Sequence, residues 1–232
     1  TKALIPKTRA DEEKISNALK RLCEEDPSLT VERKAETHEL LVSGMGQVHL
    51  DVSLERMKRR FGVEVDVKTP KVPYRETIRG STKIQGRHKK QSGGRGQFGD
   101  TWIEISPMEK GGGFVFEDNI VGGAIPKTYI PAVEKGVQEA MEAGVIAGYP
   151  MVDIKIRLYD GSYHDVDSSE IAFKIAGSIG FKKGVPECRP ILLEPIMIMD
   201  IVVPSEFVGD VMGDLNSKRG KVLGIDADDD NQ

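Results

Sequence analysis

The chain has 232 residues, 38% hydrophobic and 30% charged, the balance of a soluble globular protein with one or two average domains, or three small ones. Its formal net charge of −4 makes the chain acidic as a whole, so affinity for nucleic acid has to come from a local patch. No signal-peptide pattern or bilayer-length apolar run is present, and two cysteines, Cys23 and Cys188, without CxxC or Cys/His ligand spacing fit a reducing cytoplasm.

Thr1-Lys2-Ala3-Leu4-Ile5 reads as the second half of a strand. From Asp11 to Cys23, Ile15, Ala18, Leu19, Leu22 and Cys23 recur at helical spacing, with Asp11, Glu12 and Glu13 in the first turn and Asp26-Pro27 as the stop. Leu29–Arg33 and Glu39–Ser43 read as a hairpin. Leu50, Leu54, Met57 and Phe61 mark a second helix ended by Gly62, and Val63, Val65 and Val67 alternate as a strand. The order is β-α-β-β-α-β, which is ferredoxin-like.

Pro70 and Pro73 punctuate a linker, and a second unit begins near Thr77. It is predicted to hold strands at Ile78–Gln85, Thr101–Ser106, Gly113–Glu117 and Val152–Tyr159. Val133, Val137, Ala140 and Met141 form a helical stripe between Pro131 and Gly144. A further helix carries Ile171, Ile175 and Ile179 on one face, with Asp167 and Glu170 spaced as a capping pair. Past Pro190 and Pro195, a strand at Ile196–Val203, a helix at Glu206–Leu215 and a strand at Val222–Ile225 make a βαβ unit that stops half-built. This predicts a chain truncated at both ends.

Two stretches look unsuited to a core: Gly86–Gly99 (GRHKKQSGGRGQFG) and Gly161–Glu170 (GSYHDVDSSE). The first carries Arg87, His88, Lys89, Lys90 and Arg95, extended upstream by Arg79 and Lys83, with no acidic residue from Thr77 to Gly99. Its Gly93, Gly94, Gly96 and Gly99 admit positive φ and bring backbone amides close to a ligand. Cations beside exposed amides suit phosphates, although a mobile solvated hairpin has the same composition. Phe98 and Tyr163 are the aromatics nearest the two loops, placed either to stack on a base or to cap a hairpin's core.

Catalysis would centre on His164, Asp165 and Asp167, with His88 or Cys188. A metal would need about three or four convergent ligands, and helix capping already accounts for Asp167. No GxxxxGK[ST] is present, and the glycine-rich loop leads into a strand rather than a helix N-terminus. The residues therefore favour binding over chemistry.

RADEEKISNALKRLCEEDPSL, SGMGQVHLDV, PYRETI, GRHKKQSGGRGQFG, NIVGGAIPKTYIPAVEKGVQEAMEAGVIAGYP, LYDGSYHDVDSSEIAFKIAGS, LLEPIM and GDVMGDLNSKRGKVLG cover nearly the whole chain. Together they resemble the C-terminal half of bacterial elongation factor G, the translational GTPase that drives translocation. The resemblance implies an α+β chain in three parts. Residues 1–76 would be ferredoxin-like domain III, 77–190 domain IV with a left-handed βαβ crossover, and 191–232 the first half of a second ferredoxin-like domain, V. The GTP-binding domain and domain II would lie outside this chain. GTP and magnesium would belong to the full-length protein, and this chain would hold no cofactor and catalyse nothing.

The implied partners are the ribosome, through its rRNA and proteins, and the tRNA–mRNA helix, for a cytoplasmic monomer without membrane contact. By position, Gln97 and His164 correspond to the family residues that approach the codon–anticodon helix, within a tip that includes Gly94, Gly96, Ser162 and Tyr163. Arg87, His88, Lys89, Lys90 and Arg95 would meet rRNA phosphates, and Asp165 would hold the loop's shape. Gln47, Val48 and Asp51 in GMGQVHLD, and Glu187-Cys188-Arg189, depart from the family pattern. These departures suggest a paralogue, such as a second copy specialised for ribosome recycling or a lineage-specific variant; a free-standing RNA-binding module is the other alternative. SYHDVDSS separates the chain from the tetracycline-resistance ribosome protection proteins.

Overall fold

The computed structural model describes residues 1–7, 9–34, 36–91 and 96–226. In its N-terminal part, β1 (Lys2–Pro6), α1 (Arg9–Glu25), β2 (Thr30–Arg33), β3 (Leu40–Ser43), α2 (Gln47–Phe61) and β4 (Val65–Lys68) follow in the expected order. The sheet runs β2-β3-β1-β4 with every pairing antiparallel, the ferredoxin-like arrangement. Ile15, Ala18, Leu19 and Leu22 of α1 and Leu50 and Met57 of α2 meet Leu4 and Val42 in one core. Gly62 ends α2 at φ 64°, donating its amide to the Lys58 carbonyl at 3.0 Å, a left-handed cap that glycine adopts without strain.

SGMGQVHL works as a unit here. His49 Nδ1 accepts the Met45 amide at 3.1 Å, and its Nε2 donates to Asp26 Oδ2 at 2.8 Å. A Cβ at Gly44 would stand 2.6 Å from that Nδ1, so the glycine leaves room for the ring that ties the start of α2 to the end of α1.

The next layer comprises β5 (Arg75–Ile78), β6 (Thr82–Lys90), β7 (Gln97–Pro107), β8 (Phe114–Asp118), α3 (Ile130–Ala143), β9 (Ile154–Ser162), α4 (Glu170–Gly184) and β10 (Pro190–Leu193). The main sheet runs β6-β7-β9-β8, antiparallel except for the parallel β8–β9 pair that α3 connects. Ile103, Ile105, Ile154, Ile156 and Leu158 of its inner face bury against Val133, Val137, Phe173 and Phe181 of the two helices.

Three expectations about elements are corrected. The single strand at Ile78–Gln85 is two strands. The amides of Arg79 and Gly80 turn to the Cys188 carbonyl, at 3.1 and 2.8 Å, and β5 leaves the main sheet to pair with β10. The isoleucine stripe of α4 faces outward, with Ile171 64% exposed. The face that packs is instead Ala172, Phe173, Ala176, Gly177, Gly180 and Phe181, because small residues let the helix approach the sheet closely.

Past Pro195, α5 (Val208–Ser217) forms, but no strand forms at Ile196–Val203 or Val222–Ile225 among the described residues. A strand needs a hydrogen-bonded neighbour. Ile196, Ile198, Val202 and Leu223 stand exposed. Contacts divide the chain into two units, Thr1–Pro195 and Ile196–Gln232. Among the described residues, no helix is long and apolar enough to cross a membrane.

Candidate nucleic-acid interface

The first glycine-rich stretch is mostly strand. β6 and β7 pair continuously from Thr82↔Ile105 to Lys90↔Gln97, so the backbone groups that face across this ladder are spent on each other rather than offered to a ligand. Gly93, Gly94 and Arg95 lie outside the described residues. Strand alternation divides the basic residues: His88 and Lys90 share a face with Gln97 and Gly99, whereas Arg87 and Lys89 share the other with Phe98.

The expected role of the glycines is corrected as well. Gly96 and Gly99 do not take positive φ. A Cβ at Gly99 would lie 2.6 Å from the Ala172 carbonyl oxygen, and one at Gly86 would stand 2.6 Å from the Gly180 amide nitrogen. Both glycines admit the backbone of α4, not a phosphate. The Gly96 amide is occupied by a carboxylate, Asp167 Oδ1, at 2.9 Å.

That bond begins the network that joins the two stretches. The Asp167 carbonyl accepts the Phe98 amide at 2.9 Å. Ser168 Oγ donates to the Phe98 carbonyl at 2.9 Å and accepts the His164 amide at 2.9 Å, while the Ser168 amide donates to the His164 carbonyl at 3.0 Å. Asp167 is therefore not the cap of α4. Ser169 is, its Oγ accepting the Ala172 amide at 3.2 Å. Asp165 makes no hydrogen bond among the described residues, and the loop-holding role expected of it falls to Asp167.

His164 is 58% exposed on its side chain. Its Nδ1 accepts the amides of Val166 and Asp167, each at 3.3 Å, so the proton sits on Nε2, which points a donor at solvent. Gln97 is exposed, with Oε1 2.9 Å from His88 Nε2; His88 thus orients Gln97, whose amide NH2 has no partner among the described residues. Ser162 is exposed, but its hydroxyl is taken, donating to Asp100 Oδ2 at 2.9 Å, and Tyr163 is 46% exposed. Phe98 lies under the Arg87 guanidinium, 5.6 Å from the ring centroid.

The sequence-proposed catalytic set is not brought together. The Asp167 carboxylate oxygen nearest His164 Nδ1 is 3.6 Å away, outside good hydrogen-bond range, and His88 is bonded to Gln97. Cys188 is fully buried, and burial, followed by the neighbouring Glu187 charge, pushes its thiol up to about 11. No cluster of three or more His, Cys, Asp or Glu suited to a metal occurs among the described residues. The arrangement presents outward hydrogen-bond donors on a braced scaffold.

Sequence reasoning missed Glu76, inside PYRETI. Its fully buried carboxylate accepts four amides, those of Val145, Ile146, Ala147 and Tyr149, at 2.9, 3.0, 2.7 and 3.1 Å. Burial pushes this carboxyl up, but the four donations outweigh it and hold the group below the ordinary glutamate value of 4.5. Glu76 stands between Arg75 and Thr77, and nothing in those neighbours signals its burial.

Comparison with known proteins agrees along the whole length. The family model "Elongation Factor G, domain III" matches residues 1–69, "Elongation factor G, domain IV" matches 70–189, and "Elongation factor G C-terminus" matches 191–232. A crystal structure of a protein from Thermus thermophilus is 48% identical at a TM-score of 0.85, over 99% of this chain and 34% of the other. The chain thus spans about a third of that relative's length. With consecutive models matched in order and the braced loops falling inside the domain IV match, the chain belongs to the elongation factor G family.

Proposed function

We propose that this chain is the part of a translational GTPase that enters the small-subunit decoding region and contacts the tRNA–mRNA helix during translocation. The division would be domain III at 1–76, domain IV at 77–190 and part of domain V at 191–232. GTP and magnesium would act elsewhere in the full-length protein. The observation that carries this reading is the brace from Asp167 and Ser168 to Gly96 and Phe98. It holds the Gln97 amide and the His164 Nε2–H as outward donors on two joined loops.

Donors of this kind meet 2′-hydroxyls, sugar edges and phosphates of an A-form helix without reading its sequence, which suits contact with any codon. Lys90, on the same strand face as Gln97, adds salt-dependent attraction to phosphates. His88 supports Gln97 rather than reaching RNA itself, and Ser162 supports Asp100. A hydroxyl-radical probe tethered through Tyr163→Cys in the full-length protein should cleave small-subunit rRNA around the decoding region. Cleavage confined to other rRNA would refute the reading.

A further inference from the structure

We propose that the outer face of the β6-β7-β9-β8 sheet is a second nucleic-acid surface, one that takes a single-stranded RNA segment by base stacking and phosphate contact. The choice of RNA rests on the translation-factor reading; the surface itself rests on what the sheet leaves uncovered. α3 and α4 bury only the inner face, where Ile103, Ile105 and Ile156 are fully enclosed. On the outer face β6 presents Lys83, Arg87 and Lys89, all exposed, while β7 presents half-buried Phe98 and Trp102 and β9 half-buried Tyr159. Alternate positions on a strand repeat every ~6.8 Å, so the cations form a ladder along one edge of the aromatic row.

Charge pairing sharpens the distinction. The carboxylates of this face are committed: Glu104 to Arg157, Glu117 to Lys155 at 2.7 Å, Asp100 to Gln85 and Ser162, and Asp160 to the Gly161 amide. Lys83, Arg87 and Lys89 have no carboxylate partner among the described residues. Two of them lie over rings instead, Lys83 at 5.7 Å from the Tyr159 centroid and Arg87 at 5.6 Å from that of Phe98. A cation ladder alone would attract a duplex equally well. The accessible parts of the half-buried rings and the Arg87 guanidinium plane beside the ladder select unpaired bases that can stack.

Trp102 is the chain's single tryptophan, which makes the test direct. The full chain is titrated with fluorescein-labelled oligouridylate of about a dozen nucleotides, following anisotropy and Trp102 emission together. Binding should quench Trp102 with the same midpoint as the anisotropy change. A Lys83→Ala, Arg87→Ala, Lys89→Ala variant should lose affinity about tenfold, and its slope of log K against log salt should fall by about two. Trp102→Leu should weaken binding about tenfold, whereas Lys182→Ala with Lys183→Ala, exposed cations on α4 away from this face, should bind the oligomer as the parent does.

Absence of binding, binding without a change in Trp102 emission, an unaffected triple variant, or equal competition by an RNA duplex of the same length would each overturn the proposal. The triple variant alters only exposed side chains, and the emission readout uses the unaltered chain. A failure here leaves the tip reading standing, because that reading is measured on the ribosome through Gln97 and His164.

Discussion

The Asp167 carboxylate accepts the Gly96 amide at 2.9 Å across 71 residues of sequence. The bond makes one surface of two loops, since the Phe98 amide also closes on the Asp167 carbonyl at 2.9 Å. Asp167→Ala removes only the side-chain half, at a cost of about 1–3 kcal/mol. Amide exchange should therefore quicken at Gly96 while Phe98 stays protected. Equal protection at Gly96 in both proteins would show that the carboxylate does not hold the loop.

Glu76 fastens the 145–149 segment from inside the fold. Glu76→Gln puts an NH2 where amide donors converge, leaving donors unpaired, and should destabilise the chain by about 2–4 kcal/mol in urea unfolding at neutral pH. The sign with pH follows from the lowered carboxyl. Its contribution is complete above the ordinary value of 4.5 and is lost as pH falls through the lower folded value. The gap between Glu76→Gln and the parent should accordingly narrow in acid, and a gap that widens there would contradict the assignment.

Gly86 and Gly99 set how closely α4 sits on the sheet that carries the site. A methyl at either position meets backbone of α4, which cannot swing aside as a flexible side chain would. Gly86→Ala should cost about 3 kcal/mol. Gly46→Ala, where nothing lies within 4 Å of the added carbon, should cost less than about 1 kcal/mol. Thermal melts of the pair check this, and similar melting temperatures for both would argue that α4 is free to shift.

The fold is legible where periodicity and punctuation agree. The α1 stripe, the Gly62 stop and the Pro131–Gly144 limits of α3 all match their observed elements. It is not legible where a distant partner decides the outcome. Gly80 breaks the strand at Ile78–Gln85 because it docks on the Cys188 carbonyl, and nothing near Gly80 announces that.

At the site, Asp167, Ser168 and Ser169 are three successive residues able to cap α4. Only Ser169 does so, because Asp167 is drawn to Gly96 and Ser168 to Phe98 and His164. The basic run is visible as composition, yet its division between two sheet faces depends on the β6–β7 register. Gln97 and His164 stand out through family resemblance, and hydrogen-bond geometry then supplies the donor each one leaves free.

The most direct measurement of the central claim is the single-turnover rate of translocation by the full-length protein carrying Gln97→Ala and His164→Ala. Removing two outward donors, each worth about 1 kcal/mol net, should slow translocation roughly tenfold to a hundredfold while ribosome-stimulated GTP hydrolysis stays near the parent rate. An unchanged translocation rate, or loss of both activities together, would contradict the account.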